Sequence, residues 1–394
     1  MLLEEIKQLA ITLHAEVIKK RRHLHRNPEL SFEEYETAAF VKAILDDLGI
    51  AWQSMANTGV VGLIKGDLPS DGVIALRADM DALKIKELNQ VEYVSTNSGC
   101  MHACGHDVHT SSLLGTAKIL QTLKSKFGGT IKLIFQPGEE ELPGGASLLI
   151  KEGVLENPVP AAVIGQHVLP KMEAGKIGIR KGKSMASKDD LYITVIGRGG
   201  HGAQPHENID PVLITAQIIV ALQQVVSRIA NPATGSVLSF GKLQADGTTN
   251  IIPDQVYVEG TFRTLDETWR ARAHEHIRRI ATGIAESMGG SCEVKIVKGY
   301  PVLLNEEKLS EQVRRYAGEY AGSEKVEDMD VWMASEDFAY YSQVTDACFY
   351  MLGTGNNKKN ITASLHTPHF NIDEDALALS TGLMAYIALK RLGN

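Results

Sequence analysis

Residues 73–82 read Val73-Ile-Ala-Leu-Arg-Ala-Asp-Met-Asp-Ala82. The first four are apolar and include β-branched side chains, a pattern that predicts a short buried strand. Two further runs of the same kind, at 130–135 and 161–165, predict neighbouring strands, and residues 107–126 have the apolar spacing of a helix. This alternation predicts an α/β domain, with a mixed central sheet that carries helices on both faces.

The order of elements changes near residue 187. Beyond it we predict six elements, with strands at 191–196, 236–243, 255–263 and 292–297, and helices at 210–228 and 266–288. The order β-α-β-β-α-β is that of a ferredoxin-like α+β domain. The sequence therefore predicts a ferredoxin-like domain at 187–299, inserted between two parts of a catalytic domain at 1–186 and 300–394.

The N-terminal forty-odd residues have a helical pattern. Ser31 followed by Glu34 is typical of a capping box, which predicts that both side chains cap a second helix. Gly49 is placed to end that helix. A last helix is predicted at 374–391.

Composition and charge exclude several classes of protein. The 394 residues carry a net charge of −8, so the basic surface of a nucleic-acid-binding protein is missing. Four cysteines are too few for a secreted chain that is stabilised by disulfides. Glu4 and Glu5 occupy the N-terminal region in which a signal peptide has basic residues. Three glutamines interrupt the longest apolar stretch, at 212–226, so we predict no membrane span and expect a cytoplasmic protein.

Polar side chains follow the three predicted strands of the first domain. They are Asp79 and Asp81 after the first strand, Glu139 and Glu140 after the second, and His167 after the third. In an open α/β sheet, ligands bind just beyond the carboxyl ends of the strands. We therefore expect these side chains to lie close together.

A fourth loop adds Cys104 and His106, two residues apart at the entrance to a helix. Thiolate, imidazole and carboxylate are the ligands that borderline divalent ions accept, and a bound ion would keep the thiol deprotonated. Of the adjacent Glu139 and Glu140, one can bind metal while the other takes a proton from water. His366 lies just before the last helix and can return to the same edge. The pattern predicts a metal site.

Other interpretations of these residues stay open. Cys100 and Cys104 also have the spacing of a redox or structural pair. Cys104 with a nearby histidine is the pattern of a cysteine-nucleophile hydrolase, and a non-catalytic binding protein is a third alternative. We interpret five histidines in charged helical stretches as structural: His14, His23, His25, His274 and His276. His102 and His109 flank the candidate site and are expected to support its ligands.

The chain resembles the aminoacylase and carboxypeptidase G family of co-catalytic metallopeptidases, in the branch of hippurate hydrolases and N-acyl-amino-acid deacylases. The resemblance spans essentially the whole chain. Its marks are seven ordered motifs: Arg22-His-Leu-His-Arg-Asn-Pro-Glu29, Leu76-Arg-Ala-Asp-Met-Asp-Ala82, Met101-His-Ala-Cys-Gly-His-Asp107, Phe135-Gln-Pro-Gly-Glu-Glu140, Gly199-Gly-His-Gly-Ala-Gln-Pro-His206, Asn250-Ile-Ile-Pro253 and Gly260-Thr-Phe-Arg263.

The resemblance implies two divalent metal ions per subunit: zinc, or manganese, cobalt or nickel. The implied ligands are Cys104, His106, Glu140, His167 and His366, with Cys104 as the bridge between the ions. His369 is the second choice for the last ligand. Glu139 matches the general base, and Asp79 matches the acid that orients an imidazole of the ligand set.

In the inserted domain, the resemblance assigns His201 to oxyanion stabilisation, in many relatives from the partner subunit. It assigns Asn250 and Arg263 to the carboxylate end of the substrate. It also implies a lid role for this domain and a homodimer, or a higher homo-oligomer, that forms through it.

The implied activity is hydrolysis of the amide bond of N-acyl-amino acids, with an N-acetyl, N-benzoyl or similar group, by a metal-activated water. A dipeptidase or carboxypeptidase of the same family is the alternative. The expected partner is thus a small-molecule N-acyl-amino acid or short peptide, with no nucleic acid and no membrane. Glu141, Lys84 and Gln166 depart from residues that are common in relatives, and the first two are candidates to alter substrate preference.

Overall fold

The computed structural model describes residues 2–393, which divide into two compact units. The first unit comprises the residues up to Ser184, Leu304–Asp330 and the residues from Asp337 onward. The inserted unit comprises Met185–Leu303 and Val331–Glu336. The second of these segments was predicted to belong to the catalytic domain, and the structure groups it with the insertion. Met1 and Asn394, the outer ends of the predicted catalytic domain, lie outside the described residues.

The secondary structure of residues 2–393 alternates between helices and strands. The α-helices are α1 (Leu2–Arg26), α2 (Tyr35–Asp47), α3 (His106–Thr122), α4 (Gly145–Lys151), α5 (Pro211–Gln224), α6 (Glu267–Ser287), α7 (Glu307–Ala321), α8 (Ala339–Ser342) and α9 (Ala376–Arg391). The strands are β1 (Ala51–Met55), β2 (Gly59–Lys65), β3 (Leu68–Asp79), β4 (Gly128–Gln136), β5 (Val163–Glu173), β6 (Ile177–Ile179), β7 (Gly182–Met185), β8 (Ser187–Ile196), β9 (Gly200–His201), β10 (Ser236–Ala245), β11 (Ile251–Ile252), β12 (Gln255–Thr264), β13 (Ser291–Lys298), β14 (Leu303–Asn305), β15 (Val326–Asp328) and β16 (Ala347–Gly355).

The first unit is built on an eight-stranded mixed sheet with the strand order β1-β2-β4-β3-β5-β16-β6-β15. Ile131, Leu133 and Ile134 of β4 are all inaccessible to solvent, as expected for a sheet that is covered on both faces. Helices α1, α3 and α9 pack against one another, with α3 and α9 contacting β3, while α4 contacts β4 and α8 contacts β16. The predicted α/β class is confirmed.

Four neighbouring strands, β4, β3, β5 and β16, run parallel and place their carboxyl ends at one edge of the sheet. Strand β3 ends at Asp79, which is paired with Gln136 at the end of β4. His167 lies within β5, paired with Met351 of β16. It was predicted to follow the strand, but β5 continues through Gln166 and His167 to Glu173 and pairs with β16 beyond them.

The inserted unit has a four-stranded antiparallel sheet with the order β10-β12-β8-β13. Alternate residues of β8, including Leu191, Ile193 and Val195, are buried in the core of this unit with residues of α5 and α6. The side chains between them are partly exposed, which is the pattern of a sheet with one covered face. The predicted ferredoxin-like arrangement is confirmed.

Helix α5 is apolar on more than its buried face. Together with a π turn at Val225–Ile229, it is long and apolar enough to cross a membrane by length and composition. Its residues Ile214 and Ile218 are packed in the core of the inserted unit, as in a helix of a globular domain. Leu213 and Val220 have 51% and 71% of their surface exposed, which makes this face a candidate protein contact surface.

The start of α2 differs from the prediction. Its cap is Glu29, whose two carboxylate oxygens accept the N–H groups of Glu36 at 3.0 Å and Thr37 at 2.8 Å. The predicted capping box of Ser31 and Glu34 is wrong, because neither side chain caps the helix. Phe32 would be the first helical residue of a box that starts at Ser31, but its φ of +66° lies outside the helical region, and α2 begins only at Tyr35.

Candidate metal centre

The predicted ligands of the first unit converge in two sets that share one sulfur atom. The ligand atoms of Cys104, His106 and His167 lie within 4.8 Å of one another, as do those of Cys104, Glu140 and His366. The Cys104 Sγ lies 3.4 Å from Nε2 of His167 and 3.3 Å from Nε2 of His366. This is the placement expected of a bridging ligand. The structure describes Cys100 and Cys104 as free thiols.

Gly105 allows Cys104 and His106 to point into one pocket. Its φ is +85°, and a Cβ at this position would lie 2.3 Å from Cγ2 of Val168. Only glycine fits a left-handed turn with backbone packed so closely. The next residue, His106, begins α3.

Asp81 orients the imidazole of His106. The Nδ1 of His106 lies 2.8 Å from the main-chain oxygen of Asp81 and 3.1 Å from its Oδ1, so it donates its proton there. Its Nε2 is buried and has no hydrogen-bond partner among residues 2–393. Burial opposes protonation of this ring, but Asp79 and Asp81 outweigh it and raise the pKa of His106 to about 10. The position therefore attracts positive charge.

Asp79 orients a different histidine from the one expected. Its Oδ1 accepts a hydrogen bond from Nδ1 of His109 at 2.6 Å, while Nε2 of His109 accepts the N–H of Val168 at 3.0 Å. Both ring nitrogens of His109 are thus occupied, and it supports the site without being a ligand. From His106 Nε2, Asp79 is 3.7 Å away. Asp79 was expected to orient a ligand imidazole, whereas in the structure it is Asp81 that hydrogen-bonds His106, the predicted ligand.

The Asp79-Met-Asp81 spacing was a signal for this role, since alternate residues at the end of a strand point to the same side. The other flanking histidine, His102, is buried, and neither ring nitrogen has a hydrogen-bond partner in the described chain. The structure therefore gives no contact through which His102 supports a ligand.

His366, rather than His369, reaches the site. Its φ is +58°, a left-handed conformation that is uncommon outside glycine and concentrates at functional positions. Its N–H donates to the main-chain oxygen of Ala103 at 2.9 Å, which ties it to the loop that carries Cys104. Its Nε2 lies 3.2 Å from Oε1 of Glu140. His369 belongs to none of the ligand groups found in the described residues.

Glu139 and Glu140 are divided between two positions. Oε1 of Glu140 is buried, lies in the second ligand set, and makes no hydrogen bond within residues 2–393. Glu139 is 5% exposed, and its Oε1 accepts the N–H of Asp337 at 3.3 Å. Its Oε2 lies 4.0 Å from Nε2 of His106. Glu139 thus lies outside both ligand sets that share Cys104, although one of its carboxylate oxygens is within 4.8 Å of the ligand atoms of His106 and Glu140.

The donor atoms fit a divalent cation. Burial and the carboxylates of Glu140 and Glu139 raise the pKa of the Cys104 thiol well above its ordinary value. A cation would reverse that effect, since metal coordination favours the thiolate. It would also bind Nε2 of His106 and Oε1 of Glu140, two buried atoms of the predicted ligands that make no hydrogen bond within residues 2–393. Sulfur, imidazole and carboxylate together suit zinc and its neighbours in the first transition row.

A buried arginine supports the site from behind. Arg77 is inaccessible to solvent and donates to Oδ2 of Asp79 at 2.5 Å and to Oδ1 of Asp337 at 2.8 Å. Burial raises the pKa of Asp337 to about 6 even though Arg77 opposes the shift. Sequence reasoning missed Arg77 and Asp337. The signal for Arg77 was a charged side chain in an otherwise apolar predicted strand.

His201 and Asn250 are neighbours in the inserted unit. His201 pairs with Ile251, and the N–H of Gly202 donates to the main-chain oxygen of Asn250 at 2.9 Å. The exposed ring of His201 accepts the N–H of Ala203 on Nδ1 at 3.0 Å. The proton of the neutral ring is therefore on Nε2, where it can be donated to a ligand.

Arg263 lies at the other end of the inserted sheet. It is paired with Lys188, whereas Gln255, at the end of β12 near β11, is paired with Ile196. Arg263 is eight residue positions along the strand from Gln255, which corresponds to about 26 Å. The guanidinium of Arg263 donates to Oγ of Ser335 at 3.1 Å. One inserted unit therefore does not bring Arg263 together with His201 and Asn250.

Similarity to known proteins agrees with this site. The model of the peptidase family M20/M25/M40 matches residues 75–390. The chain is 44% identical over 303 residues to the N-acyl-L-amino acid amidohydrolase of Geobacillus stearothermophilus, covering 77% of this chain and 81% of that protein. It is 38% identical over 393 residues to thermostable carboxypeptidase 2 of Saccharolobus solfataricus, covering 99% and 98%. The crystal structure of the YXEP protein of Bacillus subtilis, described as a dinuclear metal-binding peptidase of the M20 family, superposes with a TM-score of 0.84 at 35% identity, covering 97% and 99%.

The fold and the site define a hydrolase that acts on amide or peptide bonds. The chain belongs to the peptidase family M20/M25/M40. The predicted resemblance is thereby confirmed.

Proposed function

We propose that this chain is a metal-dependent amidohydrolase that cleaves the amide bond of N-acyl-amino acids with an N-acetyl, N-benzoyl or similar acyl group. One observation carries the proposal: Cys104 joins two ligand sets, and Glu139 stands beside both without belonging to either. A dipeptidase or carboxypeptidase is the second candidate, supported by the likeness to thermostable carboxypeptidase 2.

The cofactor is proposed to be a pair of divalent cations, zinc or else manganese, cobalt or nickel. Their proposed ligands are Cys104, His106, Glu140, His167 and His366. When bound, the cations would polarise the amide carbonyl and lower the pKa of water to near neutrality.

Glu139 is the proposed general base. It takes a proton from the attacking water and returns it to the leaving amine. The N–H of Asp337 holds its Oε1, so Oε2 is the oxygen directed towards His106 and the ligands. The pair Arg77 and Asp79 keeps the supporting histidine His109 in one tautomer.

The residues of the inserted unit are proposed to bind the substrate. His201 donates from Nε2 to the developing oxyanion. This hydrogen bond accelerates the reaction because it is stronger in the transition state than in the ground state. Asn250 and Arg263 bind the carboxylate end. Arg263 lies about 26 Å along β12 from Gln255, the end of the strand next to β11, so we propose that a single small substrate contacts Arg263 of one chain and His201 and Asn250 of another. We therefore propose a homodimer through the inserted unit, with the exposed face of α5 as part of the contact.

A substrate panel on enzyme reconstituted with each metal tests the activity. We expect N-acyl-amino acids to be hydrolysed faster than dipeptides, chelation to abolish hydrolysis, and added metal to restore it. Activity that survives chelation but is lost on thiol alkylation would instead establish a cysteine nucleophile. Faster turnover of dipeptides or C-terminal residues would select the second candidate.

Complementation tests the shared site. Mixing His201→Ala and Glu139→Gln variants, each inactive alone, should restore part of the activity, because one mixed dimer contains one intact centre. No recovery in mixtures that are shown to exchange subunits would refute the shared site.

A further inference from the structure

The segment 31–34, which does not cap α2, contacts the loop that carries Glu139. Glu34 is inaccessible to solvent. Its Oε1 accepts the N–H of Gly138 at 2.7 Å and that of Phe32 at 2.9 Å, and its Oε2 accepts the hydroxyl of Thr58 at 2.6 Å. A buried carboxylate therefore holds the backbone immediately before the proposed general base.

Gly138 needs such a restraint. Its φ is +57°, and a Cβ at this position would lie 2.3 Å from Cε1 of Phe32. Glycine is required here, yet a glycine is also the residue with the greatest backbone freedom. The hydrogen bond from Gly138 to Glu34 and the ring of Phe32 remove that freedom one residue before Glu139.

The other end of the segment contacts the ligand side of the site. The hydroxyl of Ser31 donates to Oδ2 of Asp81 at 2.6 Å. The same oxygen accepts the N–H of Glu140 at 3.0 Å, and Asp81 also orients His106. Ser31 thus contacts the backbone of Glu140 through Asp81, and Glu34 holds Gly138, the residue before Glu139.

We propose that Glu34 is a positioning residue for Glu139, and that Ser31 is a positioning residue for the metal ligands through Asp81. This inference rests on the proposed function, because it assigns Glu34 a part in keeping the general base in place. Glu34 acts on the rate of the proton transfer and Ser31 on metal affinity, so the two residues have separable effects.

Glu29 offers a matched control for Glu34. It is a glutamate two residues before the segment, and it also accepts two backbone N–H bonds, but these belong to α2. For Glu34→Ala we expect kcat to fall by roughly 10- to 100-fold at saturating metal, since a misplacement of about 1 Å can cost about 10²-fold. Its KM and metal content should stay near those of the unsubstituted enzyme. Glu29→Ala should lower the melting temperature and leave kcat unchanged.

Glu34→Gln should restore kcat. Its amide oxygen can still accept from Gly138, and its amide nitrogen can donate to the hydroxyl oxygen of Thr58. Unchanged kcat in Glu34→Ala, or an equal loss of kcat in Glu29→Ala, would overturn the role of Glu34. Should Glu34→Ala fail to fold, Glu34→Asp, which shortens the reach by one methylene, is measured in its place against the same control.

Ser31→Ala tests the ligand side. We expect weaker binding of zinc, by titration against a competing chelator, with kcat unchanged at saturating zinc. Unchanged zinc affinity would overturn the role of Ser31.

Glu139→Gln, assayed in parallel, distinguishes failure of the proposed function from failure of the positioning role. If Glu139→Gln remains active, the proposed function fails; if it is inactive while Glu34→Ala keeps full kcat, only the positioning role fails.

Discussion

Each unit contains a buried cluster of aspartate, histidine and arginine, and the two clusters differ in how their atoms are paired. In the inserted unit, Asp189 accepts from Arg270 at 2.6 and 2.9 Å and from His274 at 2.6 Å. The guanidinium of Arg270 also donates to the main-chain oxygens of Lys188 and Gly299. No side-chain atom of Asp189, Arg270 or His274 is among the buried atoms that lack a partner in residues 2–393.

In the first unit, Arg77, Asp79 and His109 are paired in the same way, but the neighbouring His106 and Glu140 each keep a buried atom without a partner. Burying a polar atom without a partner costs free energy, so such atoms need an explanation. The two clusters contain the same residue types, so the residue types alone do not identify a binding site. A complete set of internal partners indicates a structural cluster, and an incomplete set at the carboxyl edge of a parallel sheet indicates a site for a ligand.

The largest expected effect is that of Glu139→Gln. General acid–base catalysis typically contributes a factor of about 10²–10⁴, and kcat should fall by that amount. Metal content, measured by elemental analysis, should stay the same, because Glu139 lies outside both ligand sets that share Cys104. Full activity with normal metal content would remove its role as general base.

Cys104→Ala should weaken binding at both metal positions together. Loss of an outer partner alone typically lowers metal affinity about 10- to 100-fold, and loss of a shared ligand should exceed that. Cys100→Ala is the matched control, because this buried thiol of the same loop belongs to no ligand group among the described residues. Normal metal occupancy in Cys104→Ala would refute the bridging role. Glu140→Ala should likewise lose bound metal.

Arg270→Met should destabilise the protein without affecting the metal. Removing one partner of a buried ion pair costs about 3–5 kcal/mol, here because Asp189 is left charged and buried. Denaturant unfolding measures the loss, and Arg272→Met, at an exposed position of the same helix, is the control. A loss of metal affinity in Arg270→Met would contradict the distinction between the two clusters.

Asp81→Asn should lower metal affinity about 10- to 100-fold, as is typical when the partner of a ligand imidazole is changed. Titration with zinc against a chelator measures this effect. Asp71→Asn, an exposed substitution in β3, should leave affinity unchanged. Equal affinity in Asp81→Asn and the unsubstituted enzyme would show that His106 does not need this partner.

The smallest effect is a pH dependence in the inserted unit. Burial opposes ionisation of Asp189, yet hydrogen bonds from His274 and Arg270 outweigh it and lower its pKa. The stability that this carboxylate contributes is therefore complete above the ordinary aspartate pKa of about 3.9 and is lost as pH falls below it. The difference in unfolding free energy between the unsubstituted protein and Asp189→Asn should narrow on acidification. A constant difference between pH 6 and pH 3 would contradict this assignment.

The two sheets could be predicted because apolar periodicity is a local property of the sequence and can be recognised without tertiary contacts. The sequence also predicted that ligands would gather after β3 and β4, since parallel strands end at one edge. It did not predict Arg77, Asp81 or Glu34 as supports. Their roles depend on atoms such as Gly138 N and His106 Nδ1, which come close only in the folded chain.

Two further differences have the same origin. The predicted capping box is absent because Phe32, between Ser31 and Glu34, has a left-handed backbone conformation. The sequence pattern does not reveal the φ angle of that residue. Residues 331–336, predicted within the catalytic domain, group with the inserted unit because they contact residues that are distant in sequence. The N–H of Ala186 donates to the main-chain oxygen of Trp332 at 3.2 Å, and no local pattern signals that bond.

Arg263 lies at the end of β12 that is remote from β9 and His201, and this has a consequence for the assembly of the proposed enzyme. In the proposed homodimer, each chain would hold its own cations and would supply His201 to the site of its neighbour. A chain with substituted metal ligands could then still complete the site of its partner. The smallest active assembly would be a dimer, and turnover per chain would fall as dilution dissociates it.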